Sequence, residues 1–125
     1  MRMLLLAAVC VVASACGAGE PPTISQLSLP QQAVTLGQQA NGALQVSDPD
    51  GLGGMRLRLT FSGPATTATD VAVQGASDAI TEAQVPFVFG LLGSAPVGTY
   101  TLEVVAIDGD DNTSNALSGT VEATN

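Results

Sequence analysis

Residues 55–62, Met-Arg-Leu-Arg-Leu-Thr-Phe-Ser, put apolar side chains at odd positions and polar ones at even positions without a break. A period of two is the mark of a β-strand with one face buried and the other wet. Tyr100-Thr101-Leu102-Glu103-Val104 repeats it. Weaker runs over 24–29, 43–47, 69–74, 85–91 and 116–123, separated by clusters of Gly, Pro, Asp and Ser, bring the predicted strands to seven. No window carries a helical stripe, and the frequent Gly, Thr and Val residues weigh against one. The pattern therefore predicts an all-β domain over 23–125. Strands this short, with turns at this spacing, predict a seven-strand Greek-key sandwich of two sheets. Phe61, Phe87 and Phe89 are expected in its core.

The start of the chain breaks the pattern. Met1-Arg2 precedes an apolar run over 3–13, and Ala13-Ser14-Ala15-Cys16 follows. The run is shorter than the roughly 20 apolar residues of a membrane span, and small residues at positions 13 and 15 suit a peptidase cleft. Residues 1–15 are therefore expected to be a cleaved signal peptide. The segment resembles the lipobox of bacterial lipoproteins, with Ala13 where that family usually has Leu. The resemblance implies that Cys16 is acylated, becomes the first residue and holds the protein to a membrane. An ordinary Ala-x-Ala site cut at the same bond, leaving a free thiol on a soluble product, is the competing reading. Gly17 in place of Asp resembles the pattern left for outer-membrane delivery in Gram-negative bacteria. Residues 16–22 then form a tether, since Gly-Ala-Gly-Glu-Pro-Pro has no apolar periodicity.

Past residue 15 the only basic side chains are Arg56 and Arg58, against all eleven acidic residues of the chain, and there is no His, Lys or Trp. An acidic surface argues against nucleic acid as a partner. With no His and no thiol beyond Cys16, Ser-His and Cys-His nucleophilic schemes are unavailable, and zinc lacks its usual ligands. Paired carboxylates leave a glycosidase-like hydrolase as the remaining catalytic alternative, although a sandwich this small is expected to offer no substrate cleft.

The stretch from Gly98 to Asp108, Gly-Thr-Tyr-Thr-Leu-Glu-Val-Val-Ala-Ile-Asp, followed by Asn112-Thr113-Ser114, resembles the sixth strand of immunoglobulin-like and cadherin-like domains of bacterial surface proteins. That resemblance implies that Tyr100 is a tyrosine-corner residue, its hydroxyl bonded to nearby backbone, with Leu102, Val104 and Ala106 pointing inward. Leu102 and a residue near Leu44 stand where antibody domains carry their disulfide, so the likeness is not to the antibody type.

In such a sandwich the loops after strands two, four and six share one pole. Asp48 and Asp50 fall in the first loop, Asp78 and Glu82 in the second, and Asp108, Asp110, Asp111 and Asn112 in the third. Converging carboxylates repel unless donors, solvent or a cation offset them. Calcium is the candidate cation, because it accepts hard oxygens in flexible geometry, and its ligands would come from Asp48, Asp50, Asp108, Asp110, Asp111 and Asn112. The competing reading is that Asp-Pro-Asp-Gly and Asp-Gly-Asp-Asp-Asn simply form good turns, closed by their own side chains. Antiparallel pairing of the first two strands puts the tether at this same pole. Register is expected to set Arg58 across from Glu103, with Val105 and Ile107 forming an outward apolar strip.

These features together predict a membrane-anchored envelope lipoprotein acting as a non-catalytic binding, adhesion or structural module. A calcium-binding cadherin-like adhesion module is the alternative. Its partners would be the membrane, through the lipid, and an envelope or surface protein.

Overall fold

A computed structural model describes residues 20–125, so the expectations for 1–15, for Cys16 and for most of the tether lie outside the described residues. The described chain is all-β. Its strands are β1 (Thr23–Ser28), β2 (Val34–Thr35), β3 (Ala40–Ser47), β4 (Arg56–Ser62), β5 (Thr67–Ala72), β6 (Glu82–Phe89), β7 (Gly98–Ile107) and β8 (Leu117–Thr124). They form a three-stranded sheet in the order β1-β3-β6 and a five-stranded sheet in the order β2-β8-β7-β4-β5.

The alternation read from the sequence sets which face is buried. Met55, Leu57, Leu59 and Phe61 on and before β4, and Tyr100, Leu102, Val104 and Ala106 on β7, are all buried. They meet Leu44, Val46, Val85, Phe87 and Phe89 from the other sheet in one hydrophobic core. The Tyr100 hydroxyl donates to the Pro96 carbonyl oxygen at 2.7 Å, so its ring fills the core while its polar tip is satisfied by local backbone.

Two departures from the expected strands have physical causes. The first predicted strand, 24–29, corresponds to β1, whose register slips between Ser25 and Ser28 with Gln26 at φ 56°; the chain then crosses to the other sheet, where an unpredicted strand, β2, pairs in parallel with β8. That makes eight strands among the described residues where seven were expected. Strand β3 also starts at Ala40, ahead of any apolar alternation, because Ala40 to Gly42 pair with Phe89 to Phe87; Gly42 permits this, lying under the Phe87 ring where a β-carbon would overlap it.

Five strands facing three leave β5 without a strand opposite it. Thr67 and Thr69 pair with the inward-facing Phe61 and Leu59, yet both are exposed. The uncovered ledge borders an open cleft of about 790 Å³, floored by Phe61, Phe89, Leu91 and Tyr100. The unequal sheets thus create an open groove on a sandwich expected to offer no substrate cleft.

Candidate functional site: the acidic pole

The loops that follow β3, β5 and β7 do meet at one pole. Asp48 N–H donates to the Thr81 carbonyl at 2.8 Å, and Leu52 N–H reaches the carbonyls of Ser77 and Ile80, which ties the first loop to the second. Gly51, at φ 96°, lies so close to the Asp78 backbone that a β-carbon would overlap it, so both the turn and the contact require glycine. Backbone contact between Gly54 and Gly109 joins the first loop to the third.

The first and third loops close in the same way. Asp48 Oδ1 accepts from Asp50 N–H at 2.9 Å, while Gly51 N–H donates to the Asp48 carbonyl. Asp108 Oδ1 accepts from Asp110 N–H at 2.9 Å, while Asp111 N–H donates to the Asp108 carbonyl. Each is an aspartate-closed turn whose fourth residue takes a positive φ, Gly51 in one and Asp111 at 68° in the other. Asp108 receives two further donors, from Asn112 N–H to Oδ1 and from Asn112 Nδ2 to Oδ2.

Burial separates the carboxylates. Asp48 is 1% exposed and Asp108 5%, whereas Asp50, Asp110 and Asp111 are exposed. Asp48 Oδ2 is buried with no hydrogen-bond partner among the described residues. Burial raises the Asp48 pKa above its ordinary value; the Asp50 N–H opposes that rise, and repulsion from Asp108, Asp50 and Asp110 adds to it.

Not every acid expected at this pole joins the group. Asp111 is held by Arg56, with Nη2 to Oδ1 at 3.2 Å, and Glu82 opens β6 at the surface. Asp78 packs its backbone and carboxylate against Gly51 and Gly53. Among the described residues, no group of three or more His, Cys, Asp or Glu side chains is arranged to hold a metal ion. The tether meets the same pole: Glu20 N–H donates to Asp50 Oδ2 at 2.9 Å, and Pro22 is buried. Residues 20–22 are thus docked on the domain. The chain ends at the other pole, where Thr124 pairs with Thr35 and accepts from Leu36 N–H.

The expected Arg58–Glu103 pairing is corrected by register. Across β4 and β7, Arg58 faces Val105 and Glu103 faces Thr60, while on the other side Arg58 stands directly opposite Asp70 of β5. Arg58 Nε reaches Asp70 Oδ1 at 3.0 Å and Arg56 Nε reaches Asp70 Oδ2 at 3.4 Å. The Arg58 hydrogen bond is the main cause holding the Asp70 carboxyl below its ordinary pKa, and in return it raises that of Arg58. The outward apolar strip is corrected too. Ile107 is buried, because the third loop folds back over it through a bridge to Thr113 and the Ser114 N–H bond to the Ala106 carbonyl.

Among the described residues, none of the exposed acids lines the cleft beside β5, whose lining carries no Asp, Glu or Arg. The loop carboxylates of the acidic pole and this cleft stand at opposite poles, so the geometry does not bring that group around a substrate in the cleft.

No family model matches the chain, and no curated protein is significantly similar to it. Solved structures are similar in fold. The PKD domain of an M14-like peptidase from a Thermoplasmatales archaeon matches with a TM-score of 0.56 at 18% identity, over 86% of this chain and 99% of that one. A Niemann-Pick type C2 protein from the Japanese carpenter ant matches with a TM-score of 0.60 at 7% identity, over 91% of this chain and all of the other. Pseudomonas fluorescens alkylpurine DNA glycosylase AlkC matches at 0.59 and 11% identity, over 86% of this chain but only 31% of that one. The chain is an immunoglobulin-like β-sandwich. Folds of this class host many activities, so the likeness establishes architecture.

Proposed function

We propose that this chain is a lipid-anchored, non-catalytic module of a bacterial cell envelope, held by an acylated Cys16 in the outer membrane of a Gram-negative host and serving binding, adhesion or structure. The observation that supports it best is the docking of Glu20 and Pro22 on the acidic pole. Only residues 17–19 then separate Cys16 from the folded domain, a reach of about 10 Å, so the acidic pole faces the membrane. The opposite pole, with the carboxyl terminus and the cleft beside β5, is presented to partners. A non-catalytic role is supported by the separation of cleft and carboxylates and by the use of Asp48 and Asp108 in closing their own turns.

Expression in a Gram-negative host supplied with labelled palmitate tests the anchor. The expected result is label on the protein and partition into detergent, both lost in Cys16→Ser. An unlabelled, water-soluble product would overturn it.

A further inference from the structure

Among the described residues, Asp48 Oδ2 is the one buried side-chain oxygen of the acidic pole without a hydrogen-bond partner, in a carboxyl group repelled by Asp108, Asp50 and Asp110. Its counterpart in the third loop differs: Asp108 Oδ2 accepts from Asn112 Nδ2 at 3.1 Å, and a carboxylate oxygen keeps a second lone pair after one such bond. A buried carboxylate oxygen without a donor costs free energy, and a second buried carboxylate in the adjoining loop adds to that cost.

No cation of the described residues offsets it. Among the described residues the basic side chains are Arg56 and Arg58; Arg58 is committed to Asp70, and Arg56 is divided between Asp70 and Asp111.

We propose that the pole binds a hard divalent cation, calcium in preference to magnesium, through Asp48 Oδ2 and Asp108 Oδ2. Two carboxylates rather than three supply the protein charge, so water and main-chain carbonyls complete the shell. That donor set fits calcium, which tolerates irregular shells of 6 to 8 oxygens, better than magnesium, which demands a near-regular octahedron. Few charged ligands and a site built on loops place the affinity in the weak range of extracellular modules, roughly 10⁻⁴ to 10⁻³ M. Bound there, the ion would clamp the first and third loops together whether or not Cys16 is acylated.

The test is thermal melting and calorimetry of the purified, chelator-treated protein, titrated with calcium chloride and, in parallel, with magnesium chloride at matched ionic strength. At about ten times the dissociation constant, calcium is expected to raise the melting midpoint by roughly 5 to 10 °C. Magnesium should shift it much less, and Asp48→Asn should lose the calcium response while still folding. Should Asp48→Asn fail to fold, the calcium heat of the wild-type protein and its loss in Asp108→Asn carry the same information. No heat and no midpoint shift at about ten millimolar calcium, an equal response to magnesium, or a response retained in Asp48→Asn would each overturn the site.

Discussion

The side-chain amide of Asn115 pairs with Ile24 as a neighbouring strand would: Ile24 N–H donates to Asn115 Oδ1 at 2.9 Å, and Asn115 Nδ2 donates to the Ile24 carbonyl at 2.9 Å. Ile24 belongs to the three-stranded sheet, while Asn115 leads into β8 of the five-stranded one. One side chain thus bridges the two layers at the edge where β1 has no other strand beside it. Asn115→Ala should lower unfolding stability by about 1 to 3 kcal/mol, because two part-buried backbone groups lose their partner. Urea denaturation measures the loss, and hydrogen exchange at Ile24 should accelerate ahead of β4 and β7.

The Tyr100 bond to Pro96 makes a narrower prediction. Tyr100→Phe keeps the buried ring and removes only the hydroxyl, so it should cost about 1 kcal/mol with no change in fold. A loss no larger than scatter in urea melts would show that the Pro96 carbonyl finds water instead.

Gly42→Ala should destabilise by about 1 to 3 kcal/mol, since the new methyl meets the Phe87 ring and the core is already close-packed. In a double-mutant cycle, Phe87→Leu should recover part of the loss by vacating the space above residue 42. Additive losses in the cycle would contradict this packing.

Asp48 and Asp70 should pull the pH dependence of stability in opposite directions. The Asp70 pKa is lowered in the folded state, so its contribution is present above the ordinary carboxylate range and is lost as pH falls through the folded value. Asp48 is raised, so its contribution is fully present below the ordinary value and is lost as pH rises through the raised one. In chelated buffer, Asp48→Asn should therefore melt higher than the parent near neutral pH, and Asp70→Asn should flatten the acid-side decline. Melting midpoints collected from about pH 3 to pH 7 check both.

The alternation of β4 and β7 was legible along the chain because a strand with one wet face must repeat every two residues. The identity of the core and the all-β class follow from that repeat, whereas the tyrosine corner was implied by the resemblance of 98–108 to immunoglobulin-like domains. Asp-Pro-Asp-Gly and Asp-Gly-Asp-Asp-Asn likewise announced their turns, since a short carboxylate closes a turn using only local atoms. The grouping of Asp48, Asp50, Asp108 and Asp110 followed from topology once the strands were ordered.

What depends on distant partners was not legible. The pairing of Arg58 with Asp70 rests on the register of β5, and a slip of one residue is invisible in either strand alone. Gly42 reads locally as a strand breaker, and only the Phe87 ring above it makes glycine the residue that permits the strand. Asn115 carries no pattern signal, because its role is to meet a backbone ninety-one positions away. The sequence by itself determined which side chains turn inward and where the chain turns, because both are local consequences of chain geometry and burial. Tertiary structure alone decided that Asp48 Oδ2 lies buried without a donor while Asp108 is satisfied, because that difference depends on how three separate loops pack against one another.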